Sequence, residues 1–173
     1  APRRPARGRQ ASVHRTTEIV LDAATARGLT VEAVTYPDGT RTAEDAARAI
    51  GCDVAQIVKS LVFDLVDAGG EVQPVIALVS GANRLDEAKL AAAAGADHAA
   101  RVDADRVRAV TGFPIGGVPP FGHPAPVRTF VDPDLLAHDE VWAAGGTPQV
   151  VFGIEPHALV TATAGTVVDL AVP

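Results

Sequence analysis

The sequence is poor in aromatic residues, has no methionine and holds a single cysteine. Only 4% of its 173 residues are aromatic, whereas 47% are hydrophobic, so valine, isoleucine, leucine and alanine must build the core. The single cysteine, Cys52, excludes an internal disulfide and a cysteine-clustered zinc site. Because Cys52 follows a glycine at a predicted helix end, we expect a small buried side chain rather than a nucleophile.

Long apolar runs and the common catalytic motifs are also missing. We find no stretch of about 18 apolar residues and no hydrophobic signal core, so we expect neither a membrane span nor export and predict a cytoplasmic protein. No nucleophile elbow, phosphate-binding loop, zinc-protease motif or strand-led dinucleotide motif occurs. The five histidines show no metal-ligand spacing: His14, His98, His123, His138 and His157. We therefore expect no metal and no cofactor.

Charge is distributed unevenly along the sequence. The first 15 residues contain five arginines and no acid, so the other 158 carry ten basic residues against all 21 acidic ones. An acidic domain of this kind does not bind a phosphate backbone non-specifically. A nucleic acid would have to be bound through local contacts or with help from the basic N-terminal segment. We predict that residues 1–15 are a disordered basic tail and that residues 16–173 form one domain.

Lysine is the rare basic residue in this protein. Of the 15 basic residues, only Lys59 and Lys89 are lysines. Lys59 shares one face of a predicted strand with Ile57, Leu61 and Phe63. An unpaired charge among such neighbours is costly, so Lys59 either reaches the edge of the sheet or lines a pocket.

The stretch from residue 112 to residue 123 is unusually constrained. It contains four glycines and three prolines: Gly112, Gly116, Gly117, Gly122, Pro114, Pro119 and Pro120. Glycine lets another group approach the backbone closely, while proline fixes φ and removes a donor. The pattern predicts a stiff loop whose backbone groups face a small polar ligand. The alternative is a tight connection between a helix and a strand.

The hydrophobic pattern predicts four or five helices and about seven strands. Helical spacing covers residues 17–27, 42–50, 86–95, 103–110 and 156–163, with short helical turns after Asp53 and at 132–136. Strands are predicted at 29–36, 57–66, 74–80, 126–131, 140–144, 149–154 and 167–172, with turns at 37–39, 67–70 and 145–148. Hairpin pairs without regular βαβ alternation indicate a mixed sheet in one α/β domain. The acids between 132 and 140 are expected to cap a helix and form a solvated face.

Three segments in combination resemble the YbaK/ProX-type (YbaK/EbsC) aminoacyl-tRNA deacylases, which are relatives of the editing domain of bacterial prolyl-tRNA synthetases. The segments are TAEDAARAIGCDVAQIVKSLVF, GGVPPFGH and VWAAGGTPQVVF. The likeness covers about Gly28 to Leu170. It implies a single α/β domain with a strongly twisted mixed sheet flanked by helices.

The resemblance also implies a site. It places Lys59 and the G-x-x-x-P loop from Gly116 to Pro120 at the centre, with Lys59 and Gly116 as catalytic residues. In such enzymes the loop holds the aminoacyl group and the 3′ terminal adenosine, and the lysine contacts the terminal phosphate or sugar. Water or a group of the substrate cleaves the ester, while backbone N–H groups stabilise the oxyanion. The implied substrate-binding residues are Tyr36, Gly117, Val118, Pro120, His123, Gly145 and Gly146.

Some positions depart from the cysteinyl-specific branch of this family. That branch typically has serine before the paired glycines and aspartate in the following strand, where this sequence has Ala144 and Val151. These replacements weaken a prediction of cysteinyl-tRNA and suggest a pocket that selects a small amino acid by size. His123 stands where glutamine is frequent, and either contacts substrate or merely closes the loop.

The resemblance predicts a trans-editing hydrolase that removes alanine, cysteine or serine from mischarged tRNA with proline-type acceptors. Its expected partners are the 3′ acceptor end of aminoacyl-tRNA and an aminoacyl-tRNA synthetase, with no membrane. We expect a monomer or weak homodimer. A non-catalytic module of the same fold, binding an aminoacyl-tRNA end, a nucleotide or a protein, stays open because no acid or base side chain is assignable. A third hypothesis is a small-molecule amidase or esterase that does not act on tRNA.

Overall fold

The computed structural model describes residues 14–38 and 42–173. Most of the predicted basic tail and Gly39 of the predicted 37–39 turn lie outside these residues. At the start of the described part, the His14 side chain accepts a hydrogen bond from the Thr16 N–H, and a helix begins at Arg15. Within these ranges no helix has the length and apolar character needed to cross a membrane.

The predicted helices are confirmed, with ends that differ by one or two residues. In the described part of the protein they are α1 (Arg15–Ala26), α2 (Ala43–Ile50), α3 (Glu87–Ala94), α4 (Ala104–Thr111) and α5 (Pro156–Thr163). Short 3₁₀ turns occupy Val54–Gln56 and Pro133–Ala137. Polar side chains at Thr42, Asp86 and Asp103 accept backbone N–H groups and so begin α2, α3 and α4. The N-cap of α4 is therefore Asp103, the first residue of the predicted range.

The described residues form eight strands in two sheets. The strands are β1 (Ala33–Thr35), β2 (Val58–Val66), β3 (Val72–Ser80), β4 (His98–Arg101), β5 (Arg128–Val131), β6 (Val141–Ala144), β7 (Val150–Ile154) and β8 (Thr166–Val167). The small sheet has the order β1-β7-β6 and is antiparallel. The large sheet has the order β4-β2-β3-β5-β8 and combines antiparallel and parallel pairs. The mixed α/β fold class is confirmed.

Three strands differ clearly from the prediction, and one of them is β8, which covers only Thr166–Val167 where a strand at 167–172 was predicted. The first strand is much shorter than 29–36, because only residues 33–35 pair with β7. β4 was not predicted, since its sequence HAAR has neither β-branched nor aromatic residues and no alternation. It becomes a strand by pairing with the end of β2, from Phe63 to Val66.

The hairpin of β2 and β3 forms the centre of the large sheet. Its register runs without interruption from Val58 opposite Ser80 to Val66 opposite Val72. At one end the Gly81 N–H donates to the Ile57 C=O at 2.8 Å, and at the other the Asp67 N–H donates to the Glu71 C=O at 2.9 Å. Backbone groups of alternate residues point to opposite edges of a strand. The odd-numbered residues of β2 therefore bond to β3, and the even-numbered residues face its other edge.

Three hydrophobic clusters surround the two sheets. The largest joins one face of the large sheet to the small sheet, α1, α4 and the Gly/Pro loop, and it includes Val58, Val62 and Phe152. The second packs α3 against the other face of the large sheet. The third packs α2 against the small sheet and includes Ile57 and Trp142. A parallel bridge between Ile57 and Trp142 joins the two sheets.

Candidate functional site

A cavity of about 550 Å³ lies where the two sheets meet. Its floor is formed by Ile57 and the first part of β2, as far as Phe63, and its walls come from α2, β6, the Gly/Pro loop and residues near α3. Of the predicted site residues, Lys59, Gly116 and Val118 line it. The cavity is also lined by the two positions at which the sequence departs from the cysteinyl branch, Ala144 and Val151, which pair directly across β6 and β7.

Lys59 lies half-buried in the floor of this cavity. Its Nζ donates a hydrogen bond to the backbone carbonyl oxygen of Asn83. Burial lowers the pKa of the Lys59 ammonium, and the nearby carboxylates of Glu44 and Asp132 oppose that shift. Of the two arrangements expected for this lysine, the structure therefore has the one in which it lines a pocket.

The loop that receives Lys59 is fixed by a buried carboxyl group. Asp132 is only 1% exposed. Its oxygens accept hydrogen bonds from the Ser80 N–H at 3.1 Å, the Asn83 Nδ2 at 2.8 Å and the Asp134 N–H at 2.9 Å. The Asn83 Nδ2 also donates to the Asp134 Oδ2 at 2.7 Å. The predicted capping role of Asp132 is confirmed, but the predicted solvated face is wrong for this residue.

We expect Asp132→Ala to lower the free energy of unfolding by about 3 kcal/mol or more. The substitution leaves the buried Ser80 N–H without an acceptor, which costs about 1–3 kcal/mol, and it also removes the hydrogen bonds from the Asn83 Nδ2 and the Asp134 N–H. Urea unfolding measures the change. Asp139→Ala is the control, because Asp139 is exposed and its removal should change stability by about 0.5 kcal/mol or less. Equal effects at the two positions would contradict the structural role of Asp132.

The Gly/Pro loop packs backbone to backbone against the turn at 145–148. The Gly117 N–H donates to the Pro114 C=O at 2.9 Å, and the Gly117 C=O accepts from the Gly146 N–H at 3.1 Å. A Cβ added at Gly117 would lie 2.9–3.0 Å from backbone atoms of Thr147. At Gly146, φ is +98° and a Cβ would lie 2.8 Å from the backbone of Thr16. The glycines therefore set how closely these segments approach each other.

Two residues of the loop that line the cavity have backbone N–H groups without a hydrogen-bond partner in the described part of the protein. These residues are Gly116 and Val118. The neighbouring Gly117 N–H is taken up inside the loop. If the loop binds a ligand through its backbone, as predicted, Gly116 and Val118 are therefore the residues whose N–H groups are available.

The remaining predicted residues lie behind or beside the cavity wall. Those that do not line it are Tyr36, Gly117, Pro120, His123, Gly145 and Gly146. The His123 Nε2 donates to the Pro119 C=O at 2.8 Å, which closes the loop. Burial lowers the pKa of His123, opposed by that hydrogen bond. Tyr36 packs against the cluster beneath α2, where burial raises the pKa of its hydroxyl.

Several cavity residues were not found from the sequence. Arg84 and Arg101 line it, and the Arg101 Nε donates to the Glu87 Oε1 at 2.7 Å. Ser60 and Trp142 also line it, and the Ser60 Oγ and Trp142 Nε1 are buried without a hydrogen-bond partner in the described part of the protein. Their positions depend on how distant strands pair, which no local pattern records. Over the same residues, no group of three or more His, Cys, Asp and Glu side chains could hold a metal ion.

Comparisons with known proteins cover most of the sequence. Residues 37–162 match the family model of the aminoacyl-tRNA editing domain. A solved structure described as a candidate trans-editing enzyme for prolyl-tRNA synthetase is 43% identical, with a TM-score of 0.85, and the match covers 94% of this protein and 100% of that one.

Two curated relatives extend the comparison. A candidate Cys-tRNA(Pro)/Cys-tRNA(Cys) deacylase, EbsC of Enterococcus faecalis, is 26% identical over 129 residues, which are 75% of this protein and 76% of the relative. A proline–tRNA ligase of Nitratidesulfovibrio vulgaris is 36% identical over 107 residues, which are 62% of this protein. The match spans only 18% of the length of that ligase.

Proposed function

This protein belongs to the aminoacyl-tRNA editing domain family, and on that premise we propose that it is a trans-editing hydrolase for mischarged tRNA. In the proposed reaction, water or a hydroxyl group of the substrate attacks the ester carbonyl. The bond between the acyl carbon and the ribose oxygen breaks, and net hydrolysis releases the amino acid and the tRNA 3′ end. The observation that carries the proposal is the meeting of Lys59 with the unbonded N–H groups of Gly116 and Val118 in one cavity.

The catalytic groups are backbone donors and one cation. We assign the N–H groups of Gly116 and Val118 to the oxyanion that develops on the ester carbonyl. Preorganised donors of this kind lower a barrier by about 2.7–4 kcal/mol each. Lys59 binds the phosphate or sugar of the terminal nucleotide, and its hydrogen bond to Asn83 orients it. Gly117, Pro120, His123, Gly145 and Gly146 support this wall, and Tyr36 supports the adjoining one.

The proposed substrate carries a small amino acid. Small apolar residues of β6 and β7 form part of the cavity wall: Ala143, Ala144 and Val151. This lining suits alanine, serine or cysteine, although an apolar pocket separates groups that differ by one methylene by only about 1–3 kcal/mol. Proline-type acceptors form part of the proposal because the relatives are named for prolyl-tRNA synthetase and Cys-tRNA(Pro).

Local charge supports binding of a tRNA end by an acidic protein. Three cations line the cavity, Lys59, Arg84 and Arg101, with Glu87 as the carboxylate among them. The phosphates near the 3′ end would meet these cations, whereas the rest of the acidic surface would repel the tRNA body. We place the protein in the cytoplasm with a synthetase as partner, residues 1–15 as a basic tail and residues 16–173 as the editing domain.

The test is deacylation of a panel of charged tRNAs. Alanyl-, seryl- and cysteinyl-tRNA on proline and cognate acceptors are incubated with the protein, and the remaining ester is counted over time. We expect one amino acid to be released at least about 100-fold faster than by spontaneous hydrolysis. The rate should fall as salt rises, because phosphate contacts weaken with ionic strength.

The alternatives give different results in the same assay. Binding of charged tRNA without release of any amino acid would favour the non-catalytic module. Release that is insensitive to salt, with equal cleavage of small aminoacyl esters, would favour a small-molecule esterase. Either outcome would overturn the proposed function.

A further inference from the structure

Helix α1 is docked against the cavity wall by its first turn. The hydroxyl of the buried Thr17 donates to the Gly145 C=O at 2.8 Å. The backbone of Thr16 lies so close to Gly146 that a Cβ added at this glycine would be 2.8 Å from it. Gly145 directly follows Ala144, which lines the cavity. At about 3.8 Å between consecutive Cα atoms, these contacts place the start of α1 within about 13 Å of the cavity lining.

The direction of α1 is fixed by its other contacts. Val20 and Ala24 are buried in the largest hydrophobic cluster. At the far end of the helix the Arg27 Cζ lies 5.2 Å from the centroid of the Phe121 ring, and the Arg27 Nε donates to the Ala162 C=O at 3.0 Å. Neither Phe121 nor Ala162 lines the cavity. The residues that precede α1 are therefore joined to the domain at the cavity end of this helix.

The segment that is joined there concentrates positive charge. Residues 1–15 hold five of the 15 basic residues and none of the 21 acidic ones: Arg3, Arg4, Arg7, Arg9 and Arg15. The last of these, Arg15, is exposed at the start of α1. Residues 16–173 have ten basic residues against 21 acidic ones, and a domain of that charge repels a tRNA at long range. The family model begins at residue 37, so it includes neither this segment nor α1.

Building on the proposed function, we propose that the basic tail, residues 1–15, binds the phosphate backbone of the tRNA acceptor stem. When the 3′ end of the tRNA occupies the cavity, the acceptor stem is the nearest double-stranded part of the molecule. A segment of 14 residues reaches at most about 50 Å from its attachment, so a tail joined beside the cavity can follow the stem outward. Basic N-terminal segments bind nucleic acids, and guanidinium groups form paired hydrogen bonds with phosphate oxygens.

The tail supplies affinity and not chemistry. Contacts to phosphates set the position of a nucleic acid but carry no information about its sequence. The cavity with Lys59 still acts on the ester, while the tail offsets the repulsion between the acidic domain and the RNA. Removal of the charge of the tail is therefore expected to change KM and the salt dependence, and to leave kcat unchanged.

The protein test removes four charges and keeps the length of the tail. Arg3, Arg4, Arg7 and Arg9 are replaced together by glutamine. We expect KM for charged tRNA to rise at least about 10-fold at about 0.1 M salt, with kcat and the melting temperature unchanged. The plot of log kcat/KM against log salt should become shallower by at least about 2, because each lost phosphate contact accounts for about 0.7–0.9.

The matched control replaces the same four arginines by lysine. Lysine keeps the positive charge on which counterion release depends, so the salt dependence should stay as in the unmodified protein and KM should change by less than about threefold. Equal KM values of the glutamine and lysine variants for charged tRNA would overturn the proposal. In that case the tail would serve a different partner, such as a protein.

The substrate test uses one aminoacyl group on three carriers, which are the full tRNA, a minihelix of its acceptor stem and adenosine. The glutamine variant should lose equally on the two RNAs and should match the unmodified protein on aminoacyl-adenosine, which has no phosphate backbone. An equal loss on aminoacyl-adenosine would show that the tail acts on the cavity itself. A loss on the full tRNA but not on the minihelix would place the contact elsewhere on the tRNA. Either result would overturn the assignment to the acceptor stem.

Binding of uncharged tRNA separates this proposal from the proposed function. Fluorescence anisotropy with labelled tRNA gives Kd without any cleavage, and we expect Kd of the glutamine variant to exceed that of the lysine variant at least about 10-fold. Equal Kd values would overturn the binding of tRNA by the tail. Failure of the unmodified protein to cleave any ester would overturn the proposed function alone.

Discussion

Lys59→Ala is expected to lower kcat/KM for deacylation by about 10²–10³-fold, the usual cost of removing one preorganised charged or polar contact from a catalytic site. Lys59 supplies the ammonium group at the floor of the cavity, and its hydrogen bond to Asn83 holds it there. Single-turnover deacylation of the preferred charged tRNA measures the loss.

Lys89→Ala is the matched control, since Lys89 is the other lysine of the sequence. Its Nζ lies 2.8 Å from the Asp169 Oδ2 and 2.6 Å from the Ala171 C=O, and it does not line the cavity. We expect Lys89→Ala to keep activity within about twofold, because a partly exposed ion pair contributes only about 0–1 kcal/mol to stability. Equal activities of the two variants would remove Lys59 from the mechanism.

The pH dependence of Lys59 separates its role in activity from its effect on stability. Burial lowers the pKa of Lys59 in the folded protein, so kcat/KM should decline as pH rises through that lowered pKa. At pH values below this lowered pKa, Lys59 is charged in both states, and its partial desolvation in the folded protein lowers the free energy of unfolding. This loss of stability shrinks as pH rises through the lowered pKa, and it is gone above the ordinary lysine pKa. Lys59→Met is therefore expected to raise the free energy of unfolding at neutral pH while it lowers turnover as Lys59→Ala does.

Gly117→Ala is expected to reduce activity at least about 100-fold and to lower the free energy of unfolding by about 1–3 kcal/mol. The new Cβ would lie 2.9–3.0 Å from the backbone of Thr147, and backbone atoms do not move aside as the end of a flexible side group does. The loop must therefore separate from the 145–148 turn, which displaces Gly116 and Val118 on either side. Urea unfolding and deacylation assays measure the two effects.

Gly69→Ala serves as the control for this substitution. Gly69 lies in the exposed turn between β2 and β3, its φ is outside the left-handed region, and a Cβ there would meet only the Asp67 Oδ1 at 3.3 Å. We expect little change in activity or stability. If Gly117→Ala behaved in the same way, the close approach of the two loops would not matter for the site.

The helices and most strands could be predicted because their signals are local. Thr42 and Asp86 begin helices with their own side chains, and Gly95 ends one with a left-handed φ. The position of Lys59 on a strand among apolar residues likewise follows from alternation with a period of two. These features depend on residues that are close together in the sequence.

The parts of the site that could not be predicted depend on long-range pairing. β4 is a strand only because β2 pairs with it, and the division into two sheets is set by which strands pair. Asp132 is buried because Ser80 and Asn83, about 50 residues earlier, meet its oxygens.

The tryptophan at the bridge between Ile57 and Trp142 is an intrinsic fluorescence probe of the cavity. Trp142 is the single tryptophan of the sequence, it is 5% exposed, and it lies at the junction of the sheets, where it lines the cavity. The emission of an indole shifts with the polarity around it and with the hydrogen bonding of its N–H. The tryptophan fluorescence of the unlabelled protein is therefore expected to report on whether the cavity is filled.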